Sequence, residues 1–184
     1  MWTRVPTRAR WRYVWDQLVD VAVDTAVSVE IDSLARIAEK VPHFASIKHA
    51  VSDLGFVSEM PQHLGADFRI FVGLEELSFP MMAVGAAEIM NAVGNIASRK
   101  VLDLYLRCRE DCMADERRLH FDLFELNRAV FFDTNPIAVK YVMKRMGLIA
   151  NKERRLPMIP VTSETEARLD AVLERAGLIS SAAA

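Results

Sequence analysis

The chain has 184 residues, fewer than the roughly 250 of a complete eight-stranded α/β barrel and enough for one compact domain. Hydrophobic residues make up 52% and charged residues 26%, which excludes a disordered or low-complexity chain and leaves material for a core. With 23 Lys and Arg against 25 Asp and Glu, the formal charge is −2; there is no cationic excess to neutralise a phosphate backbone, and nucleic acid is not an expected partner.

Residues 1–24 hold all three tryptophans, Trp2, Trp11 and Trp15, among several arginines, without a clean apolar period. From residue 25 the pattern becomes short apolar runs alternating with amphipathic stretches, the signature of βα units on a parallel sheet. Three units can be counted. Ile31 to Lys40 predicts a helix with Leu34, Ile37 and Ala38 on one face, stopped by Pro42 before a strand over Phe44 to Lys48. Ser52 is the predicted cap of a helix running to Leu64 with Leu54, Val57 and Met60 inward, and Gly65 closes it before the strand Phe68 to Val72. A helix over Glu75 to Val84, kinked or restarted at Pro80, leads to a strand over Ile89 to Val93.

Beyond Ser98 the period is helical only, with helices predicted over 98–113, 114–132, 136–146 and 163–176. Pro136 suits a first helical position, Ser163 to Glu166 reads as a capping box, and Gly147 and Gly177 stand where helices end. Pro157 and Pro160 force an extended, ordered connector over 155–160. The phenylalanines Phe121, Phe124, Phe131 and Phe132 fit a helix core. The expected division is therefore an atypical segment 1–24, a partial barrel 25–112 and a helical region 113–184.

Cys108 and Cys112 are too few for a disulfide framework, share one face of the predicted helix, and lack the further ligands of a zinc site, so no metal is expected. Asp16, Asp20 and Asp24 interrupt what would be the apolar core of a secretory signal, and the apolar stretch 79–93 is shorter than the roughly 20 residues of a membrane helix. The expectation is a cytoplasmic chain with no membrane partner.

The most informative residue is Lys48, at the C-terminal end of an apolar strand, the side of a parallel α/β sheet on which active sites are built. A lysine drawn into such an interior loses ammonium hydration and can present the neutral amine that attacks a ketone to form a Schiff base. On strand position alone, a lysine reaching into solvent is the commoner outcome.

The surrounding residues narrow the choice. Ile47-Lys48-His49-Ala50-Val51-Ser52-Asp53 resembles the pattern I-K-x-A-[ST]-x-[DN] of the dihydrodipicolinate synthase and N-acetylneuraminate lyase family, with Val51 at the hydroxyl position. Phe71-Val72-Gly73-Leu74-Glu75-Glu76 is similar to that family's seventh strand and its acidic loop. Ile89-Met90-Asn91-Ala92-Val93-Gly94-Asn95 is similar to the loop of its eighth strand, with Glu88 replacing a common glycine. Asn135-Pro136 through Lys140, Gly147-Leu148 and Arg155 through Met158 match its C-terminal helices, so the resemblance covers about residues 25–179.

The resemblance implies the C-terminal part of a TIM (β/α)8 barrel, about three βα units, followed by a helical appendage. It implies a lyase or aldolase that forms an imine between Lys48 and pyruvate or another 2-oxo acid, with Glu75, Met90 and Asn91 as substrate-binding candidates and no cofactor. The family's Gly-Thr-Thr-Gly-Glu loop and Tyr-Asn-x-Pro segment are not found, and Tyr13 does not fit the tyrosine's place. Residues 19–25 fall where the fifth strand would be. The expectation is a truncated gene product, impaired in catalysis, whose first residues were written by a shifted reading frame. The alternatives are a catalytically inactive remnant acting as an oligomeric or partner-binding protein, and one half of a split enzyme. Uncovered sheet edges lead to the expectation of a homo-oligomer.

Overall fold

A computed structural model of the chain describes residues 28–180 and the backbone of 17–20. Apart from 17–20, the Trp- and Arg-rich segment, with Tyr13, lies outside the described residues. The chain divides into two compact units, one up to Met90 and one from Asn91.

The first unit is a parallel sheet with helices between its strands. The strands are β1 (Gln17–Asp20), β2 (Ser46–His49), β3 (Arg69–Val72) and β4 (Glu88–Ile89), joined in the order β1-β2-β3-β4. β1 precedes the three units legible in the pattern, and pairs with β2 from Gln17 opposite Ser46 to Asp20 opposite His49. Parallel neighbours need a crossover, supplied here by α1 (Ile31–Lys40), α2 (Leu54–Leu64) and α3 (Ser78–Ala83). The side chains of Ile47, Ile70 and Val72 point from the strands onto Leu34, Val57, Met60 and Met81 of the helices, forming the core of this unit.

Local chemistry moves several predicted boundaries. α2 is capped by Asp53 rather than Ser52: Asp53 has extended backbone angles, and its carboxylate accepts the Phe56 N–H at 3.0 Å. Leu54, at the first helical position, is exposed, leaving Val57 and Met60 as the buried stripe. Pro80 lies in the first turn of α3, after a short 3₁₀ turn, Glu75–Leu77. β4 is two residues long instead of continuing to Val93, because Asn91 Oδ1 accepts the Gly94 N–H at 3.0 Å and folds Val93–Asn95 into a 3₁₀ turn.

The second unit is helical: α4 (Ser98–Arg109), α5 (Met113–Ala129), α6 (Ile137–Arg145) and α7 (Ser163–Arg175). The buried stripe of α5 is built from Leu119, Leu123 and Leu126, spaced for one helix face; Val139 and Val142 of α6 and Leu169 and Val172 of α7 are buried as well, and α7 packs against both α5 and α6. The expected phenylalanine core is corrected: Phe121 is 66% exposed, and Phe124 and Phe131 are exposed too, because the leucine period takes the inner face. Phe132 lies under the Arg168 guanidinium, 4.2 Å from Cζ to the ring centroid. The α7 cap is Thr162, one residue before the predicted box, its hydroxyl accepting the Thr165 N–H at 3.2 Å. Gly147 and Gly177 have φ of +74° and +69°, the left-handed ending expected of them. The connector over 155–160 contains no helix, yet its apolar Leu156 and Ile159 are exposed. Among the described residues no helix is long and apolar enough to cross a membrane.

Candidate active site

Alternation along β2 and β3 separates two faces. His49 and Val72 join Ile47 and Ile70 toward the helices, while Ser46, Lys48, Arg69 and Phe71 take the opposite face. Lys48 is the penultimate residue of β2, one before the strand's end, and is partly buried. It stands in register with Val19 of β1 and Phe71 of β3.

The Lys48 stem rises past the end of β3, where Gly73 makes room for it. A Cβ on Gly73 would fall 2.9 Å from Lys48 Cε, 2.7 Å from Ala50 Cβ and 3.1 Å from the His49 carbonyl oxygen. Gly73 itself is tied down, its N–H donating to that same carbonyl at 2.8 Å. The glycine is therefore needed for close approach of backbone to the lysine stem, and this steric role was not legible from the motif alone.

The other predicted residues occupy distinct settings. Glu75 opens the 3₁₀ turn after Gly73 and is 2% exposed, whereas Glu76 beside it is exposed. The Ser78 hydroxyl donates to the Glu75 carbonyl at 2.9 Å, fixing the turn. Met90 follows β4, donates its N–H to the Val72 carbonyl at 2.8 Å, and keeps a 40% exposed side chain. Asn91 belongs to the second unit, where its side chain caps the Val93–Asn95 turn. His49, on the helix-facing side of β2, is buried and stacks on Phe56 with centroids 4.6 Å apart.

The two cysteines do not share a helix face as expected. Asp111, at φ 53°, breaks the helix between them, leaving Cys108 in α4 and Cys112 at the cap of α5. Burial, aided by the Glu116 carboxylate, pushes the Cys108 thiol up to about 11. The Cys112 thiol donates to Asp115 Oδ2 at 3.7 Å. Among the described residues no three His, Cys, Asp or Glu side chains gather as a metal site.

Sequence reasoning passed over Arg69 and Phe71, although their alternation with Ile70 and Val72 sets them on the Lys48 face. Arg69 Nη2 donates to Glu88 Oε1 at 2.5 Å, and Arg69 Cζ lies 5.8 Å from the Phe71 ring centroid.

Parallel strands alternating with helices, and a partly buried lysine near a strand's C-terminal end on the face away from those helices, define the class: part of a (β/α)8 barrel with a candidate imine-forming lysine. The chain belongs to the Dihydrodipicolinate synthetase family, which residues 18–176 match. A 4-hydroxy-tetrahydrodipicolinate synthase of Thermus thermophilus is 38% identical over 153 residues, 83% of this chain and 51% of that protein. One from Nitratidesulfovibrio vulgaris is 34% identical over 148 residues, 80% of this chain and 50% of that protein. Among solved structures, dihydrodipicolinate synthase of Aquifex aeolicus superposes with a TM-score of 0.85 at 26% identity, covering 96% of this chain and 64% of that one. That of Thermotoga maritima gives 0.83 at 28% identity, covering 89% and 56%. The chain spans about half the length of the curated relatives it matches.

Proposed function

We propose that the Lys48 face of the sheet is the imine-forming part of a pyruvate-dependent lyase or aldolase of the dihydrodipicolinate synthase type. The observation that carries this reading is the seat of Lys48 near the end of β2, on the face away from the helices, with its stem against Gly73. The neutral amine attacks the ketone carbon of a 2-oxo acid, a carbon–nitrogen bond forms, and the carbonyl oxygen departs as water. The imine withdraws electrons from the adjacent methyl carbon. A proton can then leave that carbon, which attacks an aldehyde; carbon–carbon cleavage is the same path reversed. Glu75, Met90 and Asn91 are the proposed substrate contacts, and the buried carboxylate of Glu75 just beyond Gly73 supports the first of these. No cofactor enters this chemistry.

Further copies of the chain are proposed partners. Exposed apolar side chains support self-association, Phe121 among them at 66% and Leu156 at 87%. Light scattering at micromolar concentration gives a mass above that of the monomer on this reading, and a clean monomer contradicts it.

The test of the chemistry is the intact mass after incubation with pyruvate and borohydride, which reduces an imine to a stable amine. The expected result is a pyruvate-sized gain that disappears in Lys48→Ala. Absence of any gain, or an equal gain in Lys48→Ala, overturns the proposal.

A further inference from the structure

The four-stranded sheet is unfinished in two ways. Its crossover helices α1, α2 and α3 all pack on one face, where Ile47, Ile70 and Val72 meet Leu34, Val57, Met60 and Met81. The opposite face, which bears Lys48, Arg69 and Phe71, receives none of them, and the Arg69 and Glu88 side chains there are 54% and 38% exposed. Sheets made wholly of parallel strands occur almost only with both faces covered.

The second deficit lies at the sides. In the order β1-β2-β3-β4, the outer strands β1 and β4 each have one strand neighbour among the described residues. Their far sides carry backbone N–H and C=O groups that another strand can pair with.

One arrangement removes both deficits. All three strand pairs are parallel, so β1 of a second copy can follow β4 in the sense in which β2 follows β1. Two such junctions, β4 of each copy beside β1 of the other, make a ring of eight parallel strands, the number whose interior side chains just fill a barrel. The contact is head to tail, and a two-fold rotation closes it, so no edge is left to recruit a third copy.

We propose that two copies of this chain pair edge to edge and close one eight-stranded parallel barrel, with the Lys48 face of each sheet turned to its interior. This rests on the self-association proposed above and adds to it the surface, the partner and the number of copies. The second copy then supplies the wall that encloses the Lys48 amine.

The experiment joins light scattering of the full chain at micromolar concentration to amide hydrogen exchange on the same sample. The expected mass is twice that of the chain. In a closed ring no strand is an edge, so the amides of Gln17–Asp20 and Glu88–Ile89 are expected to exchange as slowly as those of β2 and β3, to within about tenfold. A two-copy mass with β1 and β4 exchanging far faster than β2 and β3 overturns edge pairing and leaves self-association by another surface standing. Assemblies of more than two copies overturn closure, and with it the proposal. A monomer overturns this proposal and the self-association beneath it, while the Lys48 chemistry is read separately by trapping.

Discussion

Gly73→Ala adds one methyl group at the most crowded point of the Lys48 face. Non-bonded carbons rest about 3.5–4.0 Å apart, so contacts of 2.7 Å to Ala50 Cβ and 2.9 Å to Lys48 Cε fall short by roughly 1 Å. The Lys48 stem can swing away. The His49 carbonyl, 3.1 Å from the new carbon, cannot, because it is backbone and holds the Gly73 N–H at 2.8 Å. Gly73 is not among the glycines of positive φ, so the cost is steric and not conformational. Overpacking of this kind destabilises by about 1–3 kcal/mol, which urea denaturation reads as a lower midpoint at unchanged slope. The displaced lysine adds a second effect: a misplacement of about 1 Å can slow a reaction about 100-fold, so trapping by pyruvate and borohydride should slow far more than the fold weakens. A Gly73→Ala protein with unchanged midpoint and unchanged trapping rate would refute the packing argument.

Two further perturbations test the fold around the site and in the helical unit. Asp53→Ala removes the acceptor for the Phe56 N–H and should destabilise the first unit by about 1 kcal/mol, whereas Ser52→Ala should be near neutral; paired denaturation curves compare them. Burial and the hydrogen bond to Asp170, 3.0 Å from the phenol, raise Tyr141 from 10.0 to about 12. A raised folded value favours the protonated form, so this contribution is fully present below pH 10 and lost as pH rises through about 12. Tyr141→Phe should cost about 1 kcal/mol at neutral pH and lose less stability than the parent over that alkaline window, as read by denaturation across it.

The layout of the first unit was legible because parallel strands and their helices write strong periods. Ile31–Lys40 was recovered from its spacing, and Gly65, Gly147 and Gly177 marked helix ends, since few residues other than glycine accept their positive φ. Caps were harder. Ser52 and Asp53 are both good caps, as are Thr162 and Ser163, and the choice in each pair depends on backbone angles that the side-chain type does not encode. β1 was hidden because Gln17–Asp20 is a four-residue run with little alternation, made a strand by its pairing with β2. β4 was overextended because Ile89 to Val93 is apolar but for Asn91, and the turn that Asn91 makes to end the strand is a local side-chain competition. At the site, Lys48 and the acidic residue after Gly73 were legible as a spaced motif. Arg69 was not, because its place depends on a bond to Glu88, 19 residues away in sequence.

The central claim is that one amine among the chain's six lysines is the nucleophile, which makes the location of the trapped pyruvate its most direct test. After reduction with borohydride, the protein is digested and every lysine-bearing peptide is mapped by mass spectrometry. The account predicts the adduct on Lys48, in the peptide carrying Ser46-Ile47-Lys48-His49. An adduct spread over exposed lysines, or placed on another lysine with Lys48 unmodified, would contradict it.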